Sequence, residues 1–173
     1  MPGWQVVLGE LLAPVAILTG LLWLVLLTAG LSLGPFGPYL TWLTPTLRIT
    51  GGVCLAVVIP PLVALQLLVP NAAVVLFPGW FQSGAARSGG IDVMGQRLIF
   101  GFGQMFVLLL ALLPLVFSAV ILVAAFYWII GTTAAVIFAT GAVLVVLIGE
   151  VWCGVWLIGE RFEKLDLSAE GRP

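Results

Sequence analysis

LIFGFGQMFVLLLALLPLVFSAVILVAAFYWIIGTTAAVIFATGAVLVVLIG, residues 98–149, carries no charged side chain from end to end. As one straight helix it would be roughly 78 Å long, against a bilayer hydrocarbon core of about 30 Å. It has to fold back on itself. The turn belongs at Ile129–Thr133, where Gly131 can end one helix and Thr132 or Thr133 can cap the next. Phe126, Tyr127 and Trp128 stand just before that turn, as an aromatic belt at a membrane interface would. Two membrane spans, about 104–130 and 133–158, follow from this one stretch.

Upstream the pattern repeats. Leu11–Leu33 is a third apolar run that starts just after Glu10, with Pro14 in its first turns, where proline is tolerated. Pro35, Pro38 and Pro45, with Gly34 and Gly37, end it in a loop whose Phe36, Tyr39 and Trp42 suit the headgroup layer. The run from Gly51 to Phe77 is the fourth, with Thr50 as a candidate N-cap. It contains Pro60, Pro61 and Pro70. Each proline removes a helical hydrogen bond, and in lipid the freed carbonyl has to find a donor from a neighbour. This helix is therefore expected inside a bundle, where Gln66 would also find a partner. Trp23, mid-span, reads as packing.

Composition agrees. The chain is 62% hydrophobic and 8% charged, with mean hydropathy +1.28, whereas soluble domains carry about 25% charged residues. The fold class is all-α: a polytopic integral membrane protein of four transmembrane helices, one domain over 1–173, with no internal repeat. A net charge of −1 leaves no electrostatic footprint for nucleic acid. The absence of histidine removes haem ligation, the usual zinc-hydrolase sites and histidine acid–base chemistry from this chain. Cys54 and Cys153 lie in apolar stretches and form neither a framework nor a ligand pair by spacing. No metal and no cofactor is expected. MPGWQVVLGE lacks the basic residues of a secretory signal, so the first helix reads as a mature span.

Orientation follows from lysine and arginine. Arg87, Arg97, Arg161, Lys164 and Arg172 fall on the side shared by the termini and the central loop, and Arg48 alone falls on the other. Five against one places both termini and the loop in the cytoplasm of a cell-membrane protein. Trp4, Trp80, Trp152 and Trp156 then fall near the inner face, and Trp42 and Trp128 at the outer.

The loop, 78–103, and the tail, 159–173, hold most of the charge. Ile91, Met94 and Leu98 share one helical face, with Asp92 and Gln96 on another beside Arg97. This reads as an amphipathic helix on the cytoplasmic surface, tied by the GAARSGG linker and joined to the third span by an elbow at Gly101 and Gly103. A continuous helix protruding into the cytosol is the alternative. GFGQ follows no strand and the chain has no G-K-S/T, so it is not a phosphate loop. No catalytic constellation stands out, and the chain does not read as an enzyme.

Gln66, Gln104 and Glu150 are the intramembrane or interfacial polar candidates. Glu150 lies roughly 28 Å of helix beyond Gly131, which places it near the inner headgroups with Trp152 and Trp156. A register in which the membrane ends at Glu160 would bury it by about 15 Å.

NAAVVLFPGW (71–80), GGIDVMGQR (89–97) and GERFEKLDLS (159–168) together resemble the last part of bacterial ABC exporter permeases. The matching positions are Asn71, Ala72, Phe77, Pro78 and Trp80, then Gly90, Met94, Gly95 and Gln96, then Phe162 and Asp166. The resemblance implies a membrane subunit that works with a separate ATPase docked on cytoplasmic loops, here through Arg87, Asp92, Gln96 and Arg97. Such permeases are much longer, so this chain would be a fragment or half-permease that assembles with itself or another subunit through helix packing. The expected function is thus the membrane component of an ATP-driven exporter. The alternatives are a small polytopic scaffold or assembly protein, and a four-span secondary transporter that would need Glu150 or Glu10 within the bilayer.

Overall fold

The computed structural model describes residues 3–32, 44–76 and 91–170, except the side chains of 91–94, 96, 97 and 162–170. These residues form four helices: α1 (Gly3–Ser32), α2 (Pro45–Leu76), α3 (Ile91–Ile130) and α4 (Thr132–Glu170). Each contains a stretch long and apolar enough to cross a membrane: Gly3–Ser32, Pro45–Leu76, Leu98–Ile130 and Thr132–Arg161. Large apolar side chains such as Leu24, Leu27, Phe117, Ile121 and Phe138 point outward. Water would penalise that surface and hydrocarbon does not, so the architecture is that of a multi-pass membrane protein.

The α3–α4 turn lies where the uncharged stretch demands it. Gly131 takes φ 81°, a left-handed conformation that is costly for any residue with a Cβ. Its carbonyl accepts the Ala135 N–H at 3.1 Å, so Gly131 is both the end of α3 and the cap position of α4. The expected threonine cap is replaced by this backbone arrangement, because α4 already includes Thr132. Phe126 and Phe138 stack across the hairpin with centroids 6.0 Å apart.

α2 starts earlier than Gly51. Thr44 Oγ1 accepts the Leu47 N–H at 3.2 Å and the Thr44 carbonyl accepts the Arg48 N–H at 2.9 Å. Thr44 is thus the N-cap and Pro45 the first helical residue, the one position where a missing N–H costs nothing. Thr50 lies inside the helix.

Within α2, Pro60 has no N–H for the carbonyl of Ala56, four residues back. That carbonyl accepts the indole N–H of Trp23 on α1, at 2.9 Å. Trp23 is therefore more than packing: it supplies from the neighbouring helix the donor that the proline removed. Some hydroxyl groups bond back along their own helices, Thr140 to Val136 O at 2.8 Å and Ser118 to Leu115 O at 2.9 Å, which satisfies them without water, whereas the buried Thr19 Oγ1 makes no hydrogen bond.

α3 differs from expectation. It runs unbroken from Ile91 to Ile130, through Gly101 and Gly103. No elbow separates a surface helix from the span. A glycine inside a helix costs only about 1 kcal/mol, less than exposing backbone groups at an elbow in hydrocarbon. The described arrangement is the continuous helix.

α4 is the centre of the bundle and packs on all three other helices, most broadly on α2. α1 lies against α2 and α4, while α3 leans on α4 and meets α2 at few points. Val7 and Leu11 of α1, Leu68 of α2 and Val155 and Ile158 of α4 form one core cluster. Leu65 of α2, Leu115 of α3 and Leu147 of α4 form the second. The first cluster joins the start of α1, the end of α2 and the later part of α4 at one end of the bundle. Gly159 of α4 is buried there against the backbone of Gly3 and Trp4, and the rings of Trp4 and Trp152 lie 6.2 Å apart.

Candidate functional site: a cavity beside the α2–α3 seam

Because α3 leans away from α2, the seam between them is left open. A cavity of about 810 Å³ lies between α2, α3 and α4, in the half of the bundle that holds the end of α2 and the start of α3. Its walls are mostly apolar and come from Leu65–Leu76, Ile99–Ala111 and Glu150–Arg161. Small residues line it on all three helices: Ala72 and Ala73 on α2, Gly103 and Ala111 on α3, and Gly154 on α4. A second opening of about 600 Å³ lies between α1, α2 and α3, and the two share Val69 and Gln104.

Among the described residues three polar side chains line the larger cavity. Gln104 enters from α3, and Glu150 and Arg161 from α4. The Glu150 Oε2 atom is shut off from solvent and accepts no hydrogen bond. Among the described residues no cation pairs with Glu150. Gln66 is exposed and lines the smaller opening with Gln104, so those two amides are brought to one place. The expectation that Gln66 finds a protein partner is not met: it makes no hydrogen bond among the described residues.

The other expected site residues do not converge there. Asn71 donates from Nδ2 to the Leu67 carbonyl at 2.9 Å, along its own helix. Phe77, Pro78, Trp80, Arg87 and Gly90 lie outside the described residues. Asp92, Met94, Gln96 and Arg97 lie on the first turns of α3, with side chains not described, and Gly95 lies among them. Phe162 and Asp166 lie on the last turns of α4 in the same way. Among the described residues no group of three metal-ligating side chains occurs, and Cys54 and Cys153 are both free.

The cavity itself has no signature in the sequence. There Arg161 stands out only for its charge, and Gly103 only as an elbow. The available signal was the placing of small residues on three helices, but without knowing which faces meet, small residues mark close packing as readily as a void. Compared with known proteins, the chain matches no family model, no curated protein and no solved structure.

Proposed function

We propose that this chain is the membrane component of an ATP-driven exporter, working in the cell membrane with a separate ATPase subunit. The observation that carries the reading is the cavity beside an open helix seam in a membrane bundle: a space of ligand size walled by apolar side chains with a few polar groups. The three stretches that resemble exporter permeases supply the ATPase. The five-to-one division of lysine and arginine supports cytoplasmic termini. In this reading the segment 87–97, which runs into the first turns of α3, is the docking surface. Arg87 and Arg97 serve orientation as well, whereas Asp92 and Gln96 do not, because acidic and amide residues contribute little to topology.

The test is the double change Asp92→Ala with Gln96→Ala. Insertion and orientation should match the parent chain, while the amount of a co-expressed P-loop ATPase recovered with the tagged chain should fall at least fivefold. Equal recovery from parent and variant would make this segment a connector. A second reading, a four-span secondary transporter, is favoured by the unpaired Glu150 oxygen inside the bundle. Transport by the purified chain alone, driven by a proton gradient in proteoliposomes, would select it.

A further inference from the structure

We propose that the cavity between α2, α3 and α4 is a binding site for a lipophilic organic cation carrying a single positive charge, with Glu150 as its counter-ion. The inference rests on reading the chain as a transport component and names the class of its cargo.

A carboxylate held among apolar walls is costly unless a positive charge meets it. Glu150 lines the cavity with Oε2 away from solvent, without a hydrogen bond, and with no described cation paired to it. A cation entering the cavity would supply that complement in place of a proton. A bare metal ion does not fit: among the described residues the cavity walls add only one other oxygen-bearing side chain, Gln104, and no group of three ligating side chains occurs. About 810 Å³ of mostly apolar space suits a drug-sized organic body.

Arg161 sets the charge. It lines the same cavity from the same helix, roughly 16 Å further along α4 than Glu150. A second positive charge on the ligand would be repelled by Arg161 or left unpaired in the apolar wall, so one charge is accepted and two are disfavoured. Gln104 faces the cavity from α3 and offers an amide oxygen to the same cation.

The experiment uses the full chain in lipid nanodiscs with radiolabelled tetraphenylphosphonium as the probe. Saturable binding above empty nanodiscs is expected, about one probe per chain, with triphenylphosphine, the neutral relative, failing to compete. Glu150→Gln should weaken binding at least tenfold. Gly103→Trp gives a second line of evidence that leaves Glu150 in place. Nothing lies within 4 Å of a Cβ at Gly103, which lines the cavity, so a bulky side chain there is expected to take up cavity space. It too should weaken binding at least tenfold, and it decides the matter if Glu150→Gln does not fold. Binding unchanged in both variants, competition by the neutral compound, or no saturable binding would overturn the proposal. Failure here with intact ATPase recovery would leave the exporter reading standing. Cation binding by a parent chain that recovers no ATPase would do the reverse.

Discussion

Replacing Gly159 with alanine is expected to detach the start of α1 from α4 and to lower stability by about 1–3 kcal/mol. A Cβ at this position would lie 2.6 Å from the Trp4 nitrogen and 2.8 Å from its Cα. Those neighbours are backbone atoms inside a helix, so no rotamer change relieves the contact. Either α1 shifts or α4 does, and the first core cluster, which spans both, loosens. Gly154→Ala is the internal comparison. Its Cβ would meet the Cδ2 of Leu68, the far end of a flexible side chain beside the open cavity. Leu68 can turn away, so the loss should be smaller. Thermal unfolding of both variants in detergent, with N-terminal proteolysis as a local readout, would check the order. Equal losses would contradict the close approach of α1 and α4 at Gly159.

Trp23→Phe is expected to cost about 1–2 kcal/mol, because it removes a donor and leaves the Ala56 carbonyl with nothing to accept in hydrocarbon. In water the loss would be softened by solvent, which the bilayer interior does not provide. The cause can be isolated with Pro60→Ala, which restores the N–H that Ala56 would otherwise receive within α2. On that background Trp23→Phe should cost only the change in packing. A double-mutant cycle therefore predicts clear non-additivity between Trp23 and Pro60. Additive losses would mean that the indole and the proline gap are unrelated.

The four-helix architecture was legible because hydrocarbon imposes a crude, long-range rule: an uncharged run longer than a bilayer is thick must turn. Gly131 could be singled out because its position combined the right length with a residue able to adopt positive φ. Boundaries were less legible. Thr44-Pro45 carries the cap signal of α2, but the proline reads equally as part of the preceding loop. The break expected at Gly101 and Gly103 failed because glycine's weak helix preference matters less where an opened backbone has no water to bond. Trp23 could be seen to sit mid-span, but its partner lies on another helix, and the contact depends on how α1 and α2 are rotated. Glu150 shows the same limit. Chain length placed it along α4, yet which side of the helix faces the α2–α3 seam is a property of packing and leaves no local trace.

The central claim is that all four helices cross the membrane, leaving the start of α1, the end of α2 and the end of α4 on one side. Single cysteines, placed on a background with Cys54 and Cys153 changed to alanine, test it with an impermeant thiol reagent applied to whole cells. Thr44→Cys, before α2, and Thr132→Cys, at the α3–α4 turn, should react from outside. Ser83→Cys, between α2 and α3, and Ser168→Cys, near the end of α4, should react only after the membrane is opened. If Thr44→Cys and Ser83→Cys, or Thr132→Cys and Ser168→Cys, react from the same side, the helix between them does not cross, and the four-span account fails.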